Sequence, residues 1–189
     1  MTELKGSKTE KNLLEAFAGE SQARNRYSYF AAKAREEGHE ELGDYFDEIA
    51  INEMEHAKKW FKILCGGKIF DSKENLRLAI GGENAEWSGM YPRMAKEALE
   101  DGFDLIAGFF DAVGKIEKRH EENLKAILDK LESGVEPHAE SVEEEDAGSE
   151  MLVWICRKCG HVVSGVNPPA MCAVCERTDA FYQSKAVIY

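Results

Sequence analysis

The sequence lacks long apolar runs and has too few basic residues to offset its acids. No stretch of about 18 apolar residues occurs, so we expect no membrane-spanning helix. The first ten residues hold no apolar segment of the kind that directs export, and we therefore expect a cytoplasmic protein. The formal net charge of −12 argues against nucleic-acid binding, which requires a basic surface.

Proline is also scarce, with only four residues, and this favours long uninterrupted helices. Residues 1–132 contain four helical patterns, which are separated by glycine signals at Gly38, 65–67 and Gly102. Helices of this length are typical of a four-helix bundle, so we predict a mainly α fold. Pro92 falls inside the third pattern, where we expect it to kink or widen the helix.

The charge pattern predicts three segments along the chain. Residues 133–150 hold seven acids and no lysine or arginine, a composition typical of a solvated, self-repelling linker. We therefore predict a helical domain over residues 1–134, an acidic linker over 135–150 and a small domain over 151–189.

Carboxylates interrupt the apolar stripe of every predicted helix. The second and fourth helices each place an E-x-x-H pair at two successive core positions, the first helix places one glutamate there, and the third places two. Buried carboxylates that face one another need a cation among them, and two divalent ions would supply it. The predicted ligands of this di-metal centre are Glu20, Glu53, His56, Glu83, Glu117 and His120. Carboxylate and imidazole ligands suit iron or manganese, with zinc possible on affinity alone.

Glu86 lies one turn after Glu83 on the same face, and the six-ligand plan does not need it. An extra carboxylate favours a more positive metal and neutral His56 a less positive one. Our hypothesis is that one metal exchanges Glu86 for His56 as its oxidation state changes; the alternative is a glutamate outside the ligand set. Tyr27 and Tyr91 could donate hydrogen bonds at the site or simply pack, and Tyr27 is favoured because it shares a stripe with Glu20.

Two C-x-x-C motifs, separated by 12 residues, predict a tetrahedral four-thiolate metal site formed by Cys156, Cys159, Cys172 and Cys175. A domain of about 35 to 40 residues needs such a metal in order to fold. The bound ion is zinc or a single iron, and the spacing alone favours neither. His161 has no partner at ligand spacing and is interpreted as structural or solvated.

The order of these motifs resembles the rubrerythrin family over essentially the whole chain. The matching segments are AFAGESQARNRYSY, NEMEHAK, GENAEWSGMYP, AVGKIEKRH and the four-cysteine module. The resemblance implies a ferritin-like four-helix bundle with a C-terminal rubredoxin-like domain. It also implies two irons in a bridged di-iron centre, held by Glu86 and the six ligands above, and one iron held by the four cysteines.

The resemblance further implies a non-haem peroxidase that reduces hydrogen peroxide to water and protects against oxidative stress. Its catalytic residues would be Glu86, His56, Tyr27 and Tyr91. The electron donor would be a rubredoxin or an NAD(P)H-dependent reductase. The protein would form a homodimer in which electrons pass in trans between subunits. The alternatives are a ferroxidase of the ferritin class and a zinc-stabilised scaffold protein.

Overall fold

The computed structural model describes residues 3–134 and 152–184, a mainly helical chain with a small three-stranded sheet near its C-terminal end. The chain divides after Asp71 into two compact units. The predicted mainly α fold class is confirmed. No helix within the described ranges is long and apolar enough to cross a membrane. The predicted acidic linker, 135–150, lies outside the described residues, so the three-segment division stays a prediction.

The first unit is a helical hairpin of α1, Lys8–Glu36, and α2, Glu40–Leu64. Ser7 precedes α1, and its side-chain oxygen accepts a hydrogen bond from the backbone N–H of Glu10 at 3.1 Å. This cap satisfies one of the amide groups that a helix leaves unpaired at its start. Gly38 adopts a φ of +82° between the helices, a conformation that glycine enters without strain and that lets the chain reverse.

A close side-chain contact joins α1 to α2. Gly43 is buried, and a methyl group at its position would lie 2.8 Å from Cγ of Arg35. The missing side chain lets Arg35 cross α2 and pair with Asp44 at 2.7 Å and Asp47 at 2.8 Å. A glycine inside a helix lowers the stability of that helix. At Gly43 this cost is offset by the close packing of Arg35.

The second unit begins with α3, Ser72–Ala85, and α4, Tyr91–Glu100, which are joined by a π-helical turn over Glu86–Met90. α5 then spans Asp104–Ser133. The π turn ends two residues before Pro92. The ring of this proline would clash with a carbonyl of the preceding turn, and its nitrogen cannot donate a backbone hydrogen bond. The predicted local widening at Pro92 is therefore confirmed.

A small β domain completes the second unit. Its strands are β1, Leu152–Cys156, β2, Val162–Gly165, and β3, Tyr182–Ser184. The sheet order is β2-β1-β3, and both pairings are antiparallel. The domain consists of short strands and turns, which bury little apolar surface. It therefore depends on the cysteine cluster described below for its core.

Candidate metal centres

The first hairpin brings three of the predicted ligands together. Glu20 on α1 and Glu53 and His56 on α2 offer ligand atoms that all lie within 4.8 Å of one another. Nδ1 of His56 lies 2.9 Å from Oε2 of Glu53 and 3.9 Å from Oε1 of Glu20. The three-residue spacing of the E-x-x-H pair places both side chains on the same helix face. This arrangement can hold one side of a metal centre.

The second unit repeats this arrangement with the other three predicted ligands. Glu83 on α3 and Glu117 and His120 on α5 also offer atoms within 4.8 Å of one another. Nδ1 of His120 lies 2.7 Å from Oε2 of Glu117 and 3.7 Å from Oε1 of Glu83. Each unit therefore presents two carboxylates and one imidazole in the same order.

The four cysteines of the C-x-x-C motifs meet in the β domain. Their sulfur atoms all lie within 4.8 Å of one another. The Sγ–Sγ distance is 3.7 Å between Cys156 and Cys175 and 3.6 Å between Cys159 and Cys172. Cys156 and Cys172 are fully buried at 0% exposure, so half of the cluster is closed to solvent. Four converging thiols are the donor set of a tetrahedral metal site.

Family models match almost all of this sequence. The model described as rubrerythrin matches residues 11–128 and, in a second alignment, 74–152. The model described as rubrerythrin, rubredoxin-like domain matches residues 154–183. The chain belongs to the rubrerythrin family. This membership confirms the expected ferritin-like fold with a rubredoxin-like domain and assigns the chain to the oxidoreductases.

Curated rubrerythrins are similar along their full length. A rubrerythrin of Porphyromonas gingivalis is 42% identical, over 98% of this chain and 94% of its own. A rubrerythrin of Nitratidesulfovibrio vulgaris is 38% identical, over 97% of each chain. A solved structure of nigerythrin in a partially reduced state aligns at 24% identity with a TM-score of 0.38, over 96% of this chain and 90% of that one.

Rubrerythrins combine a di-iron site with a rubredoxin-like iron site, and the acid clusters of this chain fit the first. A hydrogen bond with Glu53 raises the pKa of Glu20, and burial adds to this effect. Burial likewise raises the pKa of Glu83, to which the charge of Glu117 contributes. In both clusters one carboxyl therefore favours a proton, because two acids cannot both ionise side by side. A bound cation would replace that proton, and oxygen and imidazole donors suit iron.

The cysteine cluster fits the single-iron site of a rubrerythrin. Burial raises the pKa of the Cys159 and Cys175 thiols. Burial also opposes ionisation of Cys172, but the backbone N–H groups of Cys175 and Val174 and the hydroxyl of Tyr182 outweigh it. Together they lower the Cys172 pKa to about 6. These donors stabilise negative charge on sulfur, which is the form that binds metal.

Glu86, the predicted seventh ligand, lies outside both three-residue clusters. It is half-buried and begins the π turn. Extra turns of this kind change the direction of side chains along a helix, and they occur often at functional sites. Its role as a ligand, and its exchange with His56, therefore stay predictions.

Tyr27 packs among aromatic side chains within the first hairpin. Its ring stacks on Phe46 with a centroid distance of 6.0 Å and an interplanar angle of 19°. It also meets Phe30 edge to face at 6.1 Å. These contacts support the alternative that Tyr27 is a packing residue.

Tyr91 lies beside the acids of the second cluster. Burial is the largest cause that raises its pKa, and the charges of Glu117, Glu86 and Glu83 raise it further. Gly114 on α5 allows this approach, because a methyl group there would lie only 3.2 Å from Cβ of Tyr91. The environment of Tyr91 therefore supports a site role more strongly than that of Tyr27.

A buried carboxylate next to His120 was not predicted from the sequence. Glu121 is only 4% exposed and accepts hydrogen bonds from Trp87 Nε1 at 2.5 Å and Asn84 Nδ2 at 3.1 Å. Nζ of Lys125 forms an ion pair with Oε1 of Glu121 at 2.6 Å. This network ties α5 to α3 and the π turn at the residue that follows His120 of the second acid cluster.

His161 is a second residue whose position the sequence did not indicate. Its Nδ1 lies 3.7 Å from Sγ of Cys172 and 3.4 Å from the hydroxyl oxygen of Tyr182. Cys172 therefore faces two polar side chains besides the other cysteines. The only sequence signal for His161 was its position directly after Gly160, and that position does not indicate which residues His161 contacts.

Proposed function

We propose that the chain is a non-haem di-iron peroxidase that reduces hydrogen peroxide to water, with electrons relayed through the four-cysteine iron. The contact between the β domain and α5 carries this proposal. A methyl group on Gly160 would lie 3.4 Å from Nε2 of His120, whose Nδ1 faces Glu117 at 2.7 Å. One imidazole thus lies between the cysteine knuckle and the acid cluster. A storage protein has no need of that arrangement.

The proposed ligand assignments follow the two kinds of cluster. The residues that would hold two iron ions are Glu20, Glu53, His56, Glu83, Glu117 and His120, with Glu86 as the seventh. When bound, these ions would supply the Lewis-acid and redox chemistry for cleaving an O–O bond. The four cysteines would hold the iron that carries single electrons.

Reduction of one hydrogen peroxide molecule to two waters consumes two electrons and two protons. Tyr91 is suited to donate a hydrogen bond to bound peroxide or to a ligand carboxylate, because its raised pKa keeps the hydroxyl protonated. Glu86 begins the π turn, within electrostatic reach of Tyr91, and we propose that it exchanges with His56 as a ligand. Tyr27 remains a proposed site residue of lower support.

The partners of the reaction are part of the proposal. Two one-electron deliveries are needed for each peroxide, so an external donor must reload the cysteine-bound iron twice per turnover. A rubredoxin or an NAD(P)H-dependent reductase would serve, and we propose a cytoplasmic homodimer as the working form.

Stopped-flow mixing of the fully reduced, iron-loaded protein tests the reaction. We expect hydrogen peroxide to oxidise it faster than an equal concentration of dioxygen. Faster oxidation by dioxygen would contradict the peroxidase assignment and favour a ferroxidase. A Cys172→Ser variant is the control for the relay, because it should keep the first oxidation of the acid-bound iron and lose sustained turnover with an external donor.

A further inference from the structure

Arg119 on α5 carries a positive charge that no carboxylate of the described residues pairs with. Its Nε is buried and makes no hydrogen bond within residues 3–134 and 152–184. The same ranges contain no ion pair to its guanidinium within 4.0 Å. Burial lowers the pKa of Arg119, while the neighbouring Cys159 raises it. An arginine nevertheless stays charged in proteins, so this half-buried guanidinium, whose Nε is closed to solvent, is best stabilised by a negative partner from another source.

The β domain covers Arg119 with the turn that carries Cys159. A methyl group on Gly160 would come within 2.7 Å of Nη2 of Arg119 and 3.0 Å of Cγ2 of Ile116. Gly160 also has a φ of +81°, which other residues rarely adopt. Only glycine therefore allows the knuckle to approach α5 this closely. The approach places the guanidinium against the turn that carries Cys159, whose charge acts on Arg119.

A metal-loaded cysteine cluster would supply such a negative charge. Four thiolates around a ferric ion leave a net charge of −1, and around a ferrous ion a net charge of −2. A fixed cation beside the cluster stabilises the more negative, reduced form more strongly. Net charge near an iron–sulfur site is one of the factors that set its reduction potential.

We infer that Arg119 is a positioning residue of the electron relay, which holds the Gly160 knuckle against α5 and raises the reduction potential of the cysteine-bound iron. The inference rests on the proposed function only in assigning Arg119 to an electron relay. Because α5 supplies this cation from outside the β domain, the potential of the carrier depends on its contact with the helix that also holds His120. The carrier thus gains electron affinity where it lies beside the acid cluster.

The knuckle provides a matched control for this charge. Lys158 lies between Cys156 and Cys159 and is exposed to solvent. Water and salt screen its charge, whereas Arg119 is covered by the knuckle. Removal of either side chain's charge changes the net charge of the protein equally, so any difference between the two variants reports on position.

Redox titration of the full-length, iron-loaded protein tests the inference through the visible absorbance of the cysteine-bound iron, without peroxide. The variants are Arg119→Met, Arg119→Lys and Lys158→Met. We expect Arg119→Met to weaken electron binding about tenfold, which is about 59 mV for a one-electron couple. Arg119→Lys should recover most of the loss, and Lys158→Met should change little.

An unchanged potential in Arg119→Met would overturn the inference. An equal fall in Lys158→Met, or a failure of Arg119→Lys to recover the potential, would also overturn it. If Arg119→Met does not fold, the comparison of Arg119→Lys with Arg119→Gln replaces it, with the same expected order. Because no peroxide is present, these results stand even if stopped-flow kinetics contradict the peroxidase assignment.

Discussion

Nδ1 of His120 lies 2.7 Å from Oε2 of Glu117, one helical turn earlier on α5. The same relation joins His56 to Glu53 on α2 at 2.9 Å. In both E-x-x-H pairs, the imidazole nitrogen and the carboxylate oxygen therefore lie close together on one helix face. This pre-orientation lowers the entropy that must be lost when the ligands are fixed around an ion.

Substitution of Glu117 tests whether these clusters hold the di-iron centre. Glu117→Gln keeps the size of the side chain but removes the charge that a metal requires. We expect the variant to retain only about one iron per chain, the one held by the four cysteines. Elemental analysis together with the visible absorbance of the cysteine-bound iron measures both sites. Glu122→Gln is the matched control, because Glu122 is exposed on the same helix and should leave the iron content unchanged.

The sequence sufficed to predict both acid clusters, because the helix period places each E-x-x-H pair on one face and the apolar stripes of the neighbouring helices are interrupted at Glu20 and Glu83. It also predicted a kink or a local widening of the helix at Pro92, and the structure has a π turn just before that residue. It could not identify Arg119 or Glu121, which read as ordinary charged residues of an acidic helix. Their burial depends on Gly160 and Trp87, which approach from distant parts of the chain. Such tertiary contacts leave no periodic signal.

The low pKa of Cys172 predicts how metal binding depends on pH. At pH 7.5 the Cys172 thiol, with a pKa of about 6, has already lost its proton, whereas Cys159 and Cys175 must still lose theirs. We therefore expect metal binding to release fewer than four protons at pH 7.5 and a number closer to four below pH 6. The slope of log affinity for Co²⁺ against pH, followed by thiolate–cobalt absorbance, gives this number. A constant slope across the range would contradict the prediction.

The hydroxyl of Tyr182 is expected to raise the reduction potential of the cysteine-bound iron. It donates a hydrogen bond to Cys172, and such bonds stabilise the extra negative charge of the reduced site. Tyr182→Phe should lower the potential by about 40 mV, which corresponds to a hydrogen bond of about 1 kcal/mol. The same variant should move the pH break of Co²⁺ binding upward. Because Tyr182 is buried with the ring as part of the core, phenylalanine preserves the packing.

Gly43→Ala should reverse the usual effect of replacing a helical glycine. Alanine normally stabilises a helix by about 0.5–1 kcal/mol relative to glycine. At Gly43 the new methyl group would lie 2.8 Å from Cγ of Arg35, near the base of that side chain. We expect a net loss of about 1 kcal/mol or more in the free energy of unfolding, because the packed contact must open.

Gly81→Ala is the control for this prediction, because in the described structure only the neighbouring residues and backbone of its own helical turn lie within 4 Å of the added methyl group. Urea denaturation of both variants should give opposite signs relative to the parent chain. Two stabilised variants would show that Arg35 moves aside without cost.

The contact of Gly160 with α5 predicts that electrons pass from the carrier to the acid cluster of the same chain, instead of in trans as the family resemblance implies. Two variants with separate tags, Cys172→Ser and Glu117→Gln, can be co-expressed and the mixed assembly purified through both tags. The first chain lacks the carrier, and the second lacks an intact cluster on its own α5. Passage within one chain requires both on one chain, so the mixed assembly should show no donor-dependent peroxide reduction. Recovery of about half of the parent activity would instead indicate transfer between chains, because one intact carrier would then meet one intact cluster.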